Sequence, residues 1–379
     1  MRFSFAKPRT SISISIVVLV VLGSAAMLSV TRPSQTSPLP GRKVFSDNRP
    51  PTMDQCAGCH ADVCETFETA PHRLTLSRGD SPDILEHFAG KAFAFEDKGP
   101  LVRYENRSGQ LWLISETWPS PIRVDWIFGS GQHAQTPISV LTNPAGQSEA
   151  LQHRVSWYPT NTLGITPGLD TSPDMHAGLS QLVQREDHVV TMDCFECHVT
   201  HLPNSGGLID EEHIIAGVGC DRCHPGGNNH MASVEDGVLS MERWSDLSPL
   251  ESVNRCGECH RRADQLTESE LNPDRPILAR FASVGLTMSA CFKRQSTVNV
   301  EPSTLNRLDC VTCHDPHRPA IKDPTFYVVK CLNCHGNDDG MATKCASQPM
   351  SSNCLPCHIP KQRITDNLAF TDHWIRVIK

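Results

Sequence analysis

The chain has 379 residues and a formal net charge of -8; 39% of its residues are hydrophobic, 20% charged and only 6% aromatic. That is the composition of a soluble globular protein large enough for two or three domains. The acidic balance, with no basic block, excludes a nucleic-acid surface, which needs clustered Lys and Arg against phosphates. So few large apolar side chains in so long a chain also imply that something other than protein fills part of the core.

Arg2, Lys7 and Arg9 precede an uncharged run over residues 11–30, the layout of an export signal. The run is long enough to span a bilayer, while Ser24, Ala25 and Ala26 supply a small-residue cleavage site, so a single retained anchor and a cleaved leader both stand open. No cysteine follows for lipid attachment. A Pro-, Ser- and Thr-containing segment continues to Pro51 and reads as an extended linker. Residues 1–51 are therefore set apart as signal or anchor plus linker. The working part is expected on the periplasmic side of the cytoplasmic membrane, or free in the periplasm if the leader is removed.

Residues 52–190 form a second region, opened by Cys56, Cys59 and His60. A stretch without further motifs follows. In it, residues 101–104 and 111–114 flank Asn106-Arg107-Ser108-Gly109, a hairpin signal, and residues 124–128 and 154–158 read as further strands. A small β-rich insert is expected here, packed against its surroundings or docking a partner.

Residues 191–379 carry six more copies of the same unit: Cys194-Cys197-His198, Cys220-Cys223-His224, Cys256-Cys259-His260, Cys310-Cys313-His314, Cys331-Cys334-His335 and Cys354-Cys357-His358. Two thiols three residues apart reach the two vinyl groups of one porphyrin, and the next residue places an imidazole beneath the iron, which is the c-type haem attachment motif. Zinc would need two Cys pairs per ion and has no use for a histidine at the following position. A thioredoxin-like pair would be a single copy. With 18 His in the chain, a histidine after all seven pairs is not chance. Seven covalently held haem c groups, each with its iron, are expected. The remaining Cys64, Cys291 and Cys345 read as small buried hydrophobes, with pairing of two of them left open.

Eleven histidines remain after the seven proximal ones, enough for a second axial imidazole on most irons. His317 follows His314 in a proline-fixed Cys-His-Asp-Pro-His turn that throws it toward a neighbouring haem. His230 follows a Pro-Gly-Gly turn, His72 sits twelve residues after His60, and His373 lies beyond the last motif; these four are the expected distal ligands. His188, His201 and His213 are left open, and His87, His133, His153 and His176 read as surface or hydrogen-bonded core residues. Ten Met are available as competing ligands, none in an evident motif.

Six motifs within 165 residues leave too little chain to bury each haem separately, so the haems must pack on one another. The expected fold class is mainly α with much irregular structure, organised around packed haems, with the β-rich insert between the first and second motifs. Gly217-Val218-Gly219-Cys220 leading into Cys223-His224-Pro225-Gly226, the run from Cys310 to His317, and Asp372-His373-Trp374-Ile375 resemble the multihaem cytochromes of the cytochrome c-552/c-554 type. The resemblance covers about half of the chain, and Pro225-Gly226-Gly227 stands where that group usually has Gly-Pro-Gly. It implies distal ligand roles for His317 and His373.

The expected function is electron transfer between redox partners, either other redox proteins or quinol-linked membrane donors, with no nucleic acid. No Cys-x-x-Cys-Lys variant or other mark of a substrate site is present, and no catalytic residue is assigned. Two alternatives are an oxidoreductase acting on a small nitrogen or sulfur compound at one open-site haem, and a binding module in which the insert recognises a partner.

Overall fold

The computed structural model describes residues 49–95, 99–169, 178–237, 241–295, 307–335 and 353–376. Residues 1–48, which fall within the expected signal or anchor and linker, together with His176 and Cys345, lie outside the described residues. Among those described, no helix is long and apolar enough to cross a membrane.

The first motif lies in helix α1 (Met53–Phe67), opened by a capping box between Thr52 and Gln55 that satisfies amides left free at the helix start. After β1 (Leu76–Arg78) and α2 (Pro82–Phe88) come ten further strands: β2 (Ala92–Ala94), β3 (Leu101–Arg107), β4 (Gln110–Ser115), β5 (Trp118–Arg123), β6 (Trp126–Phe128), β7 (Thr136–Thr142), β8 (Ser148–His153), β9 (Val155–Tyr158), β10 (Thr162–Ile165) and β11 (Val183–Glu186). They form an antiparallel sheet in the order β2-β3-β4-β5, a second in the order β1-β6-β7-β8-β11, and a β9-β10 pair. The β3-β4 hairpin closes as its residues require. Ser108 and Gly109 both take positive φ, at 53° and 85°, and the Gly109 amide donates to Asn106 Oδ1 at 2.9 Å, the backbone that Asn- and Gly-containing hairpin turns favour.

Alternation along the strands makes the five-stranded sheet two-sided. Ile127 and Leu151 face a core shared with Tyr104, Leu111 and Leu113 of the other sheet and with Phe88 of α2. Their neighbours Trp126 and Ala150, with Leu76 and Ile138, face a second cluster with Phe195, Val199 and Leu202. Phe195 belongs to α3 (His188–His198), so the insert holds the second motif directly against its outer face. The Thr191 hydroxyl accepts the Ala150 amide at 2.9 Å and ties the same helix to β8.

Beyond α3 the elements shorten. Strands β12 (Val199–His201), β13 (Asn204–Ser205), β14 (Leu208–Ile209) and β15 (Ile215–Ala216) pair two by two. Helices α4 (Cys220–Cys223), α5 (Gly227–Ser233), α6 (Pro249–His260), α7 (Ala282–Met288), α8 (Ala290–Gln295), α9 (Cys310–Cys313), α10 (Pro324–His335) and α11 (Leu355–His358) carry or support the motifs, and a hairpin of β16 (Lys361–Thr365) and β17 (Leu368–Thr371) closes the chain. The buried apolar core here is slight: Val253, Leu286 and Phe292, with Leu308, Cys310 and Ile375 against them.

The expectation of a mainly α fold is overturned. Seventeen strands in six antiparallel sheets make the described residues mixed α and β. The physical reason is that the motif-free stretch builds two sheets and its own core, while the motif helices α4, α9 and α11 are single turns ended by the motif itself.

Candidate functional site

Each motif lies in or opens a helical turn, and its histidine stands at the point where the helix ends or, in α1, kinks. His60 breaks α1 with φ -117° and ψ 42°; His224 and His314 follow α4 and α9 with extended or intermediate backbone; His198, His260, His335 and His358 close α3, α6, α10 and α11. The Cys pair is thus held at helical spacing while the imidazole swings away from the helix. Side-chain caps fix the starts: Asp187 accepts from the Val190 amide, Ser248 and Glu251 form a capping box, and buried Asp309 accepts from the Thr312 amide at 3.0 Å. Arg307 and Ser252 bind the other Asp309 oxygen at 2.7 and 2.8 Å, which joins the fifth motif to α6.

The four histidines expected as distal ligands each face the histidine of an attachment motif. His230 faces His60, with ring centroids 6.5 Å apart and planes at 30°. His72 faces His260 at 6.1 Å and 86°, His317 faces His224 at 6.3 Å and 4°, and His373 faces His314 at 6.1 Å and 49°. These rings do not touch; a stacked pair such as His87 on Trp157 has centroids 4.0 Å apart. Two metal–imidazole bonds of about 2 Å set end to end, with half a ring behind each, separate ring centres by about 6.3 Å. The gaps fit an iron between each pair.

The ring nitrogens are oriented to match. Nδ1 of His72 lies 3.4 Å from the Pro316 carbonyl, that of His198 2.9 Å from the Thr75 carbonyl and that of His373 2.9 Å from the Thr371 carbonyl. A proton held at Nδ1 by a carbonyl leaves the Nε2 lone pair for a metal. Burial pushes the pKa of all three rings down. His260 is lowered to about 4 by burial and by the nearby His72, His373 and His198. All four are neutral near pH 7, the form that ligates iron. His317 Nδ1 is bound instead by Asp315 at 2.9 Å, and His230 Nδ1 is buried without a partner.

The cysteines meet across motifs. Cys56 lies beside Cys220, Cys223 near Cys256 and Cys259, Cys256 beside Cys310, and Cys331 near both Cys313 and Cys354. Burial raises the thiols of Cys194 and Cys223 to about 12 and those of Cys220 and Cys331 to about 11. All sixteen described cysteines are free of disulfides, and no three His, Cys, Asp or Glu among the described residues converge as a metal cluster.

Surface chemistry gives a further fit for haem. Of the eleven large apolar side chains exposed among the described residues, nine border the motifs or the facing histidines. Val63, Val189, Val190, Leu250, Val311 and Val329 lie on motif helices, Leu74 follows His72, and Met231 and Val234 follow His230. Exposed apolar side chains so close in sequence to the motifs are surface that a bound porphyrin would cover.

Other histidines take other roles. His153 is buried between Tyr104 and Ser139, His188 bonds the Ser148 carbonyl at 3.0 Å, and His213 pairs with Asp210. His198 stacks on Phe128 at 4.7 Å and 20°, and no second imidazole faces it among the described residues. His335 and His358 flank residues 336–352, which lie outside the described part. Sequence reasoning missed which histidines pair with which, and the Pro316 carbonyl that holds His72.

Comparison with known proteins agrees in kind. The family profile "Cytochrome c554 and c-prime" matches residues 164–225, which hold the second and third motifs. The dissimilatory sulfite reductase MccA of Wolinella succinogenes is 24% identical over 188 residues, 41% of this chain and 24% of that protein; the match thus spans about a quarter of the relative's length. The crystal structure of the outer cell wall cytochrome OcwA aligns over 88% of this chain and 80% of its own, at 14% identity and a TM-score of 0.49. Attachment motifs whose histidines meet opposing imidazoles, with a cytochrome c554 signature across two of them, mark the chain as a multihaem c-type cytochrome.

Proposed function

We propose that the chain is an exported electron conduit carrying seven haem c groups, most of them held between two histidines. The observation that carries this reading is the set of four imidazole pairs spaced at 6.1–6.5 Å. Haem supplies a one-electron Fe(III)/Fe(II) couple whose coordination two imidazoles leave unchanged on reduction. The chain's own part is to hold and orient: His60, His224, His260 and His314 from below, His230, His317, His72 and His373 from above, and the fourteen motif cysteines at the porphyrin edge. His198, His335 and His358 take the proximal place at the other three motifs.

Contacts between motifs support a route. From Cys56–Cys220, through Cys223–Cys256 and Cys256–Cys310, to Cys313–Cys331 and Cys331–Cys354, the motifs follow one another in space as first, third, fourth, fifth, sixth and seventh. His198 lies beside His260, so the second motif joins at the fourth. Residues 11–30 serve as anchor or cleaved leader, and the partners are redox proteins or quinol-linked donors on the periplasmic side.

A second reading is reduction of a sulfur or nitrogen compound at one haem. The partial likeness to a sulfite reductase favours this reading, and the second motif, whose His198 packs on Phe128, is its candidate place. A pyridine haemochrome assay of the purified protein tests the count, and titration of the oxidised protein with sulfite and nitrite separates the readings. The conduit predicts seven haems and no spectral response. A response amounting to one haem, lost in a Phe128 or His198 variant, supports the second reading instead.

A further inference from the structure

The turn Cys313-His314-Asp315-Pro316-His317 serves the axial histidines of three motifs. His314 belongs to the fifth motif, His317 faces His224 of the third, and the Pro316 carbonyl lies 3.4 Å from Nδ1 of His72, which faces His260 of the fourth. Asp315 fixes the turn from within. Its Oδ1 accepts the His317 backbone amide at 3.0 Å and lies 2.9 Å from the same residue's ring Nδ1, while its Oδ2 is paired with the Arg318 guanidinium at 2.7 Å. The ring of Pro316 sets φ between them, so the acid and the imidazole are brought together by local geometry.

The acceptor on Nδ1 differs in kind between these neighbouring sites. An aspartate is ionised near pH 7 and can only accept, so the His317 ring donates its Nδ1 proton to Asp315 and keeps the Nε2 lone pair for iron. A hydrogen bond to an ionised acceptor is about twice as strong as one to a neutral group, and a carboxylate behind a ligating imidazole raises that ligand's basicity. A more basic ligand favours ferric over ferrous iron and lowers the potential. His72 and His373 have carbonyls instead, of Pro316 at 3.4 Å and Thr371 at 2.9 Å, and the first is longer than an ordinary N–H···O bond. The Asp315 side chain is 41% exposed, which screens its charge through space, but its effect on ligand basicity passes through the bonds of the His317 ring.

We infer that Asp315, acting through His317, holds the third haem at a lower potential than the fourth, so that the turn makes the step from third to fourth downhill. One electron passes, the third iron being oxidised and the fourth reduced, with no bond made or broken. Asp315 is a positioning residue, since it touches His317 and not the iron. The inference rests on the conduit reading and adds a direction to it.

The experiment compares the full haem-loaded protein as wild type, Asp315→Asn and Asp315→Ala, each matched to wild type in haem content and far-ultraviolet spectrum. His317→Ala and His72→Ala identify the resonances, and redox titrations followed by electron paramagnetic resonance read the midpoint of each ferric signal. In wild type the rhombic signal of the His224 and His317 pair titrates below the large-g signal of the His72 and His260 pair. Asp315→Asn raises the rhombic midpoint by about tenfold in the ferric/ferrous ratio, about 59 mV for one electron. Asp315→Ala raises it at least as far, and both variants widen the g-anisotropy of that signal as the ligand loses basicity. The fifth haem moves less, because Asp315 adjoins His314 in sequence but bonds His317. A wild-type rhombic midpoint at or above the large-g one, no shift in either variant, or an equal shift of the fifth haem, which charge alone would give, overturns the inference. A rhombic signal that survives His317→Ala overturns the ligation as well, whereas its loss there with an unmoved midpoint in both Asp315 variants overturns the inference alone.

Discussion

His153 is the most sharply testable buried group of the insert. Its ring is fully buried, with Nδ1 3.1 Å from the Tyr104 hydroxyl and Nε2 3.0 Å from Ser139 Oγ, and burial lowers its pKa from 6.5 to about 3. The unfolded insert takes up a proton near pH 6.5 while the folded one does not until about pH 3. Stability contributed by the neutral ring is therefore complete above the unfolded pKa and lost progressively as pH falls through that window. At about 1.4 kcal/mol per unit, the loss between pH 8 and pH 5 is about 2 kcal/mol. The neutral ring donates from one nitrogen and accepts at the other; without it Tyr104 can donate to the Val155 carbonyl and Ser139 to the Arg123 carbonyl, so His153→Gln leaves both hydroxyls with acceptors. Amide hydrogen exchange of β7 and β8, corrected for intrinsic rates, reads the opening free energy at each pH. Wild type is expected to lose about 2 kcal/mol more than His153→Gln across this range. Equal pH dependence in the two proteins would refute the assignment of the loss to this ring.

Three further outcomes are expected. Gly285→Ala would place a Cβ 2.6 Å from the Trp374 amide nitrogen and 2.8 Å from the His373 carbonyl carbon. Overpacking against backbone should cost about 1–3 kcal/mol and, by moving His373, turn one low-spin haem high-spin; thermal melts and electron paramagnetic resonance check both. The imidazole planes differ sharply, at 86° for His72 with His260 and 4° for His224 with His317. His72→Ala should therefore abolish a large-g low-spin signal and His317→Ala a rhombic one, each amounting to one haem. Gly217→Ala combines a φ of +79° with a Cβ 2.1 Å from the Arg73 carbonyl oxygen, so it should disturb the adjacent His72 and weaken the same signal that His72→Ala removes.

The seven attachment motifs were legible because thioether spacing is local: three residues separate the thiols and one more carries the imidazole. For His317 and His230 the chain itself gave a local cue, since Pro316 and the Pro225-Gly226-Gly227 turn control where they leave the chain; His72 and His373 had no such turn beside them. The pairing of these histidines was not legible, because His72 and His260 or His60 and His230 meet only through the fold. The hairpin of β3 and β4 announced itself through Asn106 and Gly109, but the extent of the insert did not. Strands of three or four residues such as β6 and β9 carry too little periodicity to read, and their alternation gains meaning only once Trp126 and Ile127 are seen to face different clusters. The mainly α expectation failed there.

Near-infrared magnetic circular dichroism of the fully oxidised protein, normalised to haem content, tests the central claim most directly, because it reports the axial ligand pair of each low-spin iron. The account predicts a bis-histidine band amounting to at least four haems per chain. A band worth fewer than four, or one dominated by histidine–methionine or high-spin iron, would contradict it.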